Sequence, residues 1–272
     1  MGTRRILVTG LGGFVGSMLR DVAQRHQQAN DIALIPLAAA NGSPIDIRDA
    51  TAVDEAVARL RPTAVIHLAA IALPRQAAQE PAEAWAVNVM GTFNLADAVR
   101  RHAPEAPFVF AGSAEAYGTA FARQPAPLDE NTVLEPLSPY GATKAAADLM
   151  IGQMARQGLR AVRFRPFNHT GPGQASAYVV SSFARQIVRI ERGWQHPMMR
   201  VGNLAVRRDF LDARDVARAY LDAALDLPQD AAGRAFNLST AAPVSIGSLL
   251  EILLGMAKHP IEVEIDPSLV RP

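Results

Sequence analysis

The sequence predicts an α/β fold in which a doubly wound parallel sheet is accompanied by a smaller, interleaved C-terminal lobe. Short apolar runs alternate with longer helical patterns through the first part of the chain, and this rhythm changes after Phe167. Buried parallel strands read as short apolar runs, and the crossover to the next strand usually carries a helix. One large sheet domain with a smaller partner lobe is therefore expected for a chain of 272 residues.

The sheet domain is predicted from strands that alternate with helices along the chain. Each strand is a short run with β-branched or aromatic residues, and each helix repeats its apolar positions at a spacing of three and four. The predicted strands are residues 6–9, 32–36, 64–68, 108–111 and 160–164. The predicted helices are residues 15–25, 51–60, 82–102 and 140–157.

The second half of the chain predicts the smaller lobe. Residues 168–174 are rich in Gly and Pro and indicate an ordered loop. Later elements are a helix over 178–192, a strand near 199–201, a helix over 212–225, a strand over 235–238 and a helix over 244–257. In the last helix, Ser248 and Glu251 have the spacing of a capping box. We assign residues 1–167 and about 209–241 to the sheet domain, and about 168–208 and 242–272 to the lobe.

Composition excludes several classes of function. The formal net charge is +1, so neither nucleic acid nor a membrane surface is indicated as a partner. The absence of cysteine excludes a disulfide framework, a thiolate catalyst and a cysteine-ligated metal. No apolar stretch reaches the roughly 18 residues of a membrane-spanning helix, and the first strand begins too early for a signal peptide. A cytoplasmic protein is expected.

A glycine-rich turn joins the first strand to the first helix. It contains Gly10, Gly12, Gly13, Phe14, Val15 and Gly16. Glycine permits the tight turn and lets backbone N–H groups approach a pyrophosphate, which the positive end of the helix dipole also favours. An ordinary turn is the alternative, but a dinucleotide-binding Rossmann fold requires its glycines at this position. We therefore predict that this turn binds NAD or NADP.

The choice between NAD and NADP stays open at this level. An acid that binds the adenosine ribose is expected at the end of the second strand. Residues 37–41 contain neither an acid nor an arginine that would hold a 2′-phosphate. Asp46 and Ile47 are candidates to line the adenine, and a loop or helix-capping role is the alternative for Asp46.

Tyr140 and Lys144 form a candidate catalytic pair. Their spacing of four residues places them on one face of a helix, one turn apart. An unperturbed tyrosine titrates near pH 10, and a neighbouring ammonium favours its ionised form. Such a phenol is a usable general acid or base, and the same lysine can hold a nicotinamide ribose. An exposed tyrosine beside a solvated lysine is the alternative.

Ser113 is the third catalytic candidate. It follows the predicted strand 108–111, and side chains at the carboxyl end of a parallel strand lie where such folds bind ligands. Its hydroxyl would polarise the reacting oxygen beside Tyr140. The alternative is a turn serine that bonds to the local backbone.

Several motifs together resemble the extended short-chain dehydrogenase/reductases, a family of nucleotide-sugar epimerases, dehydratases and reductases. They are Thr9-Gly10-x-x-Gly13-x-x-Gly16, His67-Leu68-Ala69-Ala70, Asn88-Val89-x-Gly91-Thr92, Ser113-x-x-x-Tyr117-Gly118, Tyr140-x-x-x-Lys144 and Arg165-Pro166-Phe167-Asn168. The resemblance implies that Leu68, Ala69, Ala70, Ala111 and Phe167 line the cofactor. It further implies that Asn88 steadies the strand carrying the site, that Asn168 touches the sugar, and that the protein is a homodimer.

The second half is similar to the GDP-mannose branch of that family. The stretches 167–174, 179–187 and 201–210 carry this similarity, which is strongest to GDP-4-keto-6-deoxy-D-mannose reductases that yield GDP-D-rhamnose. It implies a GDP-sugar substrate contacted by Val179, Arg185, Asn203, Arg208 and Arg271. Paired arginines suit the oxygens of a diphosphate, and two solvated surface arginines are the alternative.

Two departures from the family pattern affect this interpretation. The related 4,6-dehydratases carry Thr-Ser-Glu where this chain has Ser113-Ala114-Glu115. Glu115 keeps the carboxylate of the dehydratases but Ala114 lacks their hydroxyl, which favours a reductase and leaves a dehydratase or a 4-epimerase as alternatives. The family pattern also continues beyond Pro272, so the C-terminus is expected to be incomplete.

Two further interpretations receive less support from the residues. A cofactor-sensing regulator on the same fold is the alternative outside enzymes, and such proteins typically lose the Tyr/Lys pair that is retained here. His169 lies in the Gly/Pro-rich loop without a second ligand at metal-site spacing, so no metal site is expected.

Overall fold

The computed structural model describes residues 3–27, 31–123 and 127–270. The strands are β1 Arg4–Thr9, β2 Ile32–Pro36, β3 Ala64–His67, β4 Phe108–Ala111, β5 Ala161–Pro166, β6 Asn168–Thr170, β7 Met198–Val201, β8 Arg207–Arg208, β9 Phe210–Asp212, β10 Ala235–Leu238, β11 Val244–Ser245 and β12 Glu262–Ile265. The α-helices are α1 Phe14–Gln27, α2 Ala50–Leu60, α3 Pro74–Gln79, α4 Pro81–Trp85, α5 Thr92–His102, α6 Ala120–Arg123, α7 Pro139–Arg156, α8 Val179–Glu191, α9 Ala213–Leu225 and α10 Ile246–Gly255. A π-helical segment covers Ala86–Gly91, and 3-10 segments cover Ala114–Tyr117, Gln229–Ala231 and Pro267–Leu269.

A six-stranded parallel sheet organises the larger part of the chain. Its strand order is β10-β5-β4-β3-β1-β2, and each pair of neighbours runs parallel. The order reverses at β1, so the switch point lies between β1 and β3, beside the carboxyl ends of both strands. Helices α1 and α9 pack together in one layer, whereas α2, α5 and α7 pack in another. The predicted doubly wound α/β fold is confirmed.

The core of the sheet domain is formed by the central strands and the helices that cover them. Strand β3 is buried along its whole length, as are three of the four residues of β4. Both strands are continuously apolar up to their carboxyl ends, as expected for strands covered on two faces. Their carboxyl ends therefore lie on a rigid, densely packed base.

The chain divides into two compact units. The first comprises the residues up to Phe167 together with Ala213–Leu238, and the second comprises Asn168–Asp212 together with the residues from Ser239 onward. The exchange points differ by a few residues from the expected 209 and 241. The reason is local: β9 pairs with β6, and the Asp209 carboxylate accepts hydrogen bonds from Ser239 and Thr240.

The second unit has its own small core. Helices α8 and α10 bury Phe183, Ile187, Ile246 and Leu250 against the strand residues Met199 and Val201. Three two-stranded sheets belong to it, β6 with β9, β7 with β12, and β8 with β11. The loop predicted over residues 168–174 begins instead with strand β6, because Asn168–Thr170 pairs with Phe210–Asp212.

Two predicted helices differ in detail from the structure. The long helix expected over 82–102 is two α-helices joined by the π-helical segment Ala86–Gly91. The last helix begins at Ile246, and its N-cap is Ser245, whose hydroxyl accepts from the N–H of Ser248. The capping box proposed with Ser248 as the cap is therefore wrong. No described helix is long and apolar enough to span a membrane.

Helix α7 is attached to the sheet by a buried ion cluster around Asp148. The side chain of Asp148 is 1% exposed, and its carboxylate accepts hydrogen bonds from Arg163 at 2.6 Å and from Arg165 at 2.8 and 3.0 Å. Both arginines belong to β5. Since an unpaired buried charge is costly, this cluster fixes the helix against the strand.

We predict that Asp148→Asn destabilises the protein by about 3–5 kcal/mol, because the guanidinium groups of the half-buried Arg163 and the buried Arg165 lose their counter-charge. Asp97→Asn is the matched control, since Asp97 pairs with Arg100 and Arg101 near the surface, and it should cost less than about 1 kcal/mol. Urea unfolding measures both values. Equal effects of the two substitutions would contradict the assigned role of Asp148.

Candidate active site

The glycine turn has the geometry that a pyrophosphate requires. Gly10 has a φ of +73°, and a Cβ there would lie 2.9 Å from the backbone nitrogen of Ala69. A Cβ on Gly16 would lie 2.5 Å from the carbonyl oxygen of Leu11. By contrast, a Cβ on Gly12 would enter open space. Side chains are therefore excluded from the packed side of the turn, while its open side leaves room for a ligand.

Helix α1 begins at Phe14, directly after this turn, with Val15 as its second residue. No acidic residue lies in its first turn. Because no carboxylate from this turn neutralises the positive end of the helix dipole, that end favours the binding of an anionic group.

Leu68, Ala69 and Ala70 follow β3 on the neighbouring side of the turn. The N–H of Leu68 donates to the carbonyl of Thr9 at 3.1 Å, and that of Ala69 donates to the Thr9 hydroxyl at 3.2 Å. All three residues are half-buried. They are thereby held beside the residue that precedes Gly10.

Asp46 and Ile47 lie in the loop between β2 and α2. The carboxylate of Asp46 accepts from the backbone and the guanidinium of Arg48, and these hydrogen bonds lower the pKa of Asp46 to about 2. The side chain of Ile47 is buried in the core and fills the space that Gly91 leaves open. These contacts of Asp46 with Arg48 stabilise the loop, as expected for the loop role that was the alternative to lining the adenine.

Tyr140 and Lys144 lie in the first two turns of α7. Ser138 caps the helix by accepting from the N–H of Gly141 at 3.0 Å, and Pro139 occupies its first position. Lys144 is 6% exposed, and its Nζ donates to the carbonyl oxygen of Ala111 at 2.8 Å. Burial lowers the pKa of Lys144 to about 8, so the ammonium is still the main form at neutral pH.

Tyr140 is half-buried and lies one helical turn before Lys144. Its phenol interacts electrostatically with Tyr220 of α9, whose pKa is raised by burial and further by Tyr140. Tyr220 therefore stays neutral at neutral pH. The carbonyl of Tyr140 accepts from the Thr143 hydroxyl at 2.8 Å.

Ser113 and Glu115 lie in the segment after β4. The buried hydroxyl of Ser113 accepts from the N–H of Glu115 at 3.1 Å and so caps the 3-10 segment Ala114–Tyr117. A serine that bonds to the local backbone was the alternative interpretation for Ser113. In this bond, however, the serine oxygen is the acceptor, so the hydroxyl proton can still be donated to another group. Glu115 is exposed.

A hydrogen-bonded asparagine connects the segment after β3 to helix α7. The side chain of Asn88 bonds both backbone groups of Ile71, at 2.8 and 3.1 Å, and donates to the Thr143 hydroxyl at 3.0 Å. It lies in the π-helical segment and is buried. Asn88 therefore holds the segment that follows β3 against α7.

Phe167 ends the first unit. Its N–H donates to the carbonyl of Leu238 at 2.9 Å, and its ring lies edge-on to that of Phe121 at 5.8 Å. These contacts fix the backbone at the end of β5.

The remaining predicted substrate contacts belong to the second unit. Asn168, Arg185, Asn203 and Arg208 are exposed, and Val179 is half-buried against the core of that unit. Arg185 donates to the Ser176 hydroxyl at 2.7 Å and Arg208 to the carbonyl of Arg207 at 2.9 Å. Asn203 accepts from the N–H of Ala205. Arg271 lies outside the described residues.

The sequence reasoning assigned no role to several polar residues around the site. Thr9, His67, Thr92 and Thr143 are buried and hydrogen bonded to one another or to Asn88. Arg59 of α2 donates to the carbonyl of Ala38 just beyond β2. The sequence gives two signals for His67, which are its place at the polar end of an otherwise apolar strand and its place in the motif His67-Leu68-Ala69-Ala70.

The sheet, the glycine turn at its switch point and the Tyr–Lys pair on a buried helix together define the class of dinucleotide-binding Rossmann enzymes. The chain belongs to the NAD dependent epimerase/dehydratase family, whose model matches residues 6–239.

Comparisons with individual proteins agree with this family. The chain is 35% identical to the GDP-6-deoxy-D-mannose reductase of Pseudomonas aeruginosa over 271 residues, which cover 99% of this chain and 85% of that protein. It is similar to the structure of RMD from Pseudomonas aeruginosa complexed with NADPH, with a TM-score of 0.84 and 33% identity over 98% of this chain and 88% of that one. It is also similar to the Thermus thermophilus UDP-glucose 4-epimerase in complex with NAD, with a TM-score of 0.78 and 28% identity over 97% of this chain and 86% of that one.

We predict that Lys144→Met stabilises the protein at pH 7. The folded-state pKa of Lys144, about 8, lies below its ordinary value of 10.5, so the buried ammonium costs about 3 kcal/mol at pH 7. The lost hydrogen bond to Ala111 offsets only about 1 kcal/mol of this.

The unfolded chain binds more protons than the folded protein between about pH 8 and about pH 10.5, so the stability contributed by the native lysine rises with pH in that window. The advantage of Lys144→Met should therefore shrink as the pH rises through it. Lys258→Met, at an exposed lysine, is the control and should change little. Chemical unfolding at several pH values measures this, and a methionine variant less stable than the native protein at pH 7 would contradict it.

Proposed function

We propose that the protein reduces the 4-keto group of a GDP-4-keto-6-deoxy-D-mannose-type nucleotide sugar to the 4-hydroxyl, which yields GDP-D-rhamnose. The observation that carries the proposal is the Tyr140–Lys144 pair, in a chain that matches the Pseudomonas aeruginosa GDP-6-deoxy-D-mannose reductase along 99% of its length. When bound, the reduced nicotinamide cofactor supplies the hydride for this reaction.

The residues of the glycine turn fit such a cofactor. The open space beside Gly12 admits a pyrophosphate, and the N-terminus of α1 favours its charge. Gly10, Gly13, Phe14, Val15 and Gly16 complete the turn, and Leu68, Ala69, Ala70, Ala111 and Phe167 provide the walls of the proposed cofactor site. Asn88 and Ile47 support that site from the core, and Asp46 lies at its adenine end.

The side chains of the first unit supply the remaining chemistry. The phenol of Tyr140 holds the proton that the carbonyl oxygen needs when it becomes a hydroxyl. The ammonium of Lys144 favours release of that proton, and its burial strengthens the effect. The hydroxyl of Ser113 donates to the same carbonyl oxygen, since its own oxygen is already used as an acceptor.

The second unit is proposed to select the nucleotide sugar. Asn168 would contact the sugar, Arg185 and Arg208 the diphosphate, and Val179, Asn203 and Arg271 the rest of the nucleotide. Arg185 and Arg208 are both exposed. Within the described residues, Arg185 donates through Nη1 to Ser176 and Arg208 donates through Nη1 to the carbonyl of Arg207, and a guanidinium has further N–H groups that can bind phosphate oxygens.

A dehydratase is the second candidate, because Glu115 places an exposed carboxylate two residues after Ser113. Dehydration and epimerisation return the cofactor to its starting oxidation state, so neither consumes NADPH. A cofactor-sensing regulator would convert no nucleotide sugar at all.

The reductase proposal predicts that GDP-4-keto-6-deoxy-D-mannose causes net oxidation of NADPH or NADH. Tyr140→Phe should lower kcat by about 10²–10⁴-fold, because the proton donor is lost, and should leave cofactor binding intact. Cofactor absorbance measures the rate, and cofactor fluorescence measures binding. Conversion of the sugar nucleotide without cofactor oxidation would favour the dehydratase or epimerase, and a fully active Tyr140→Phe would remove Tyr140 from the mechanism.

We further propose that NADP is preferred to NAD. The segment after β2 contains no carboxylate before Asp46, and Asp46 is paired with Arg48. Arg59 donates to the carbonyl of Ala38, so a guanidinium lies at the end of β2, where an acid would bind the ribose of NAD. A 2′-phosphate would find a cation here instead of a repelling carboxylate.

This preference predicts that 2′,5′-ADP binds at least about tenfold more tightly than 5′-ADP, since a phosphate–arginine contact is charge-assisted. Arg59→Leu should remove the difference. Arg156→Leu is the matched control, because Arg156 is also an exposed arginine in the last turn of a helix. Calorimetry measures these affinities without any turnover, and equal binding of the two nucleotides to the native protein would overturn the proposal.

We also propose that the protein is a cytoplasmic homodimer. Trp85, Met90, Phe93 and Leu149 are exposed apolar residues on α4, the π-helical segment, α5 and α7, which contact one another. Exposed apolar surface of this kind marks association sites, and the family resemblance implies dimers through paired helices. Sedimentation of the native chain at the mass of a monomer would contradict this assignment.

A further inference from the structure

Both ring nitrogens of His67 are hydrogen bonded in the interior of the first unit. His67 ends β3 and is 2% exposed. Its Nδ1 lies 2.6 Å from the hydroxyl of Thr9, and its Nε2 lies 2.8 Å from the hydroxyl of Thr92. The imidazole therefore joins the residue before the glycine turn to the first residue of α5.

The position of the ring proton follows from the partners of Thr92. A threonine hydroxyl has a single proton, and that of Thr92 is donated to the carbonyl of Asn88 at 2.7 Å. The Thr92 oxygen can then only accept from His67, which places a proton on Nε2. In a neutral ring the Nδ1 is an acceptor, so the Thr9 hydroxyl donates to it.

The Thr9 oxygen in turn accepts from the N–H of Ala69 at 3.2 Å. All hydrogen bonds from Ala69 through Thr9, His67 and Thr92 to the carbonyl of Asn88 thus point in the same direction. Such a chain has no unpaired donor, and its members polarise one another.

The charge state of His67 is consistent with this direction. An imidazolium would donate from both nitrogens and would lie close to the buried ammonium of Lys144. Burial, and secondarily the charge of Lys144, lowers the pKa of His67 to about 3. The ring is therefore neutral at neutral pH.

The chain ends at the residue that holds the catalytic helix. Asn88 donates from its side chain to the Thr143 hydroxyl, and Thr143 donates to the carbonyl of Tyr140. Asn88 thus links two sets of hydrogen bonds: its backbone carbonyl accepts from Thr92, on the path from the glycine turn, and its side chain donates to Thr143, on the path to the backbone of Tyr140.

We propose that His67 is a positioning residue that acts as the neutral Nε2–H tautomer and fixes the helix of Tyr140 and Lys144 relative to the glycine turn. Its kinetic consequence rests on the proposed reductase function, whereas its tautomer does not. A neutral ring is suited to this place because it bonds on two sides without adding a second positive charge beside Lys144.

The tautomer is tested directly by nitrogen-15 NMR of the histidine rings in the native protein. The His67 signals, assigned by their absence in His67→Gln, should show a protonated Nε2 and an unprotonated Nδ1, unchanged from about pH 5.5 to about pH 8.5, where ordinary histidines titrate. A protonated Nδ1, or titration within this range, would overturn the proposal. Failure of the reductase assay has no bearing on this measurement.

The positioning role is tested with two variants of Thr92. Thr92→Ser keeps the hydroxyl, and Thr92→Val keeps the branched shape but removes the acceptor of the Nε2 proton. Thr92→Val should lower kcat by about tenfold, with the KM for both substrates within about twofold, since small displacements of a proton donor act mainly on the chemical step.

Thr92→Ser should restore kcat to within about twofold of the native value. A Thr92→Val variant with native kcat would reduce His67 to a packing role, even if its melting temperature were lower. If the native protein oxidises no cofactor, the two Thr92 variants are compared by the nitrogen-15 chemical shifts of the His67 ring. These shifts should match those of the native protein in Thr92→Ser and differ from them in Thr92→Val.

Discussion

The burial of one ammonium group determines how the rest of the site is built. Lys144 has a backbone carbonyl and the face of the Phe110 ring as its contacts among the described residues, and no carboxylate neutralises it. A nearby carboxylate would stabilise the charge but would weaken its effect on Tyr140. The titratable group that feels this charge is the buried ring of His67, whose pKa is lowered by burial and secondarily by Lys144, so that the ring stays neutral.

The next turn of the same helix carries a buried charge that is paired, namely the carboxylate of Asp148. Tyr140, Lys144 and Asp148 follow one another at intervals of four residues and so share one face of α7. The carboxylate of Asp148 could neutralise Lys144, but its oxygens are taken by Arg163 and Arg165. The arginines thus have two effects: they anchor the helix to β5, and they keep the only carboxylate on that face occupied.

The features that could be predicted from the sequence are those whose residues are close together in the chain. Gly10 to Gly16 follow the first strand, and Tyr140 and Lys144 are one helical turn apart, so their neighbourhood follows from local geometry alone. The hydrogen bond of His67 to Thr9 joins residues 58 positions apart, and that of Asn88 to Thr143 joins residues 55 apart. No local pattern marks such partners, because a buried polar pair is defined only when the strands have assembled. The same holds for Arg59, whose contact with Ala38 depends on how α2 packs beside β2.

The division of the chain into two units matches a division of the proposed roles. The residues proposed to move the proton all belong to the first unit, and most of those proposed to select the nucleotide belong to the second, which has a separate core around Phe183 and Met199. Solved structures named as RMD and as UDP-glucose 4-epimerase share the fold of this chain at 33% and 28% identity. Exposed side chains such as Arg185 and Arg208 can change at little cost to stability, because neither unit depends on them for its core. A buried group such as His67 cannot change in this way, since it is hydrogen bonded to Thr9 of β1 and to Thr92 of α5.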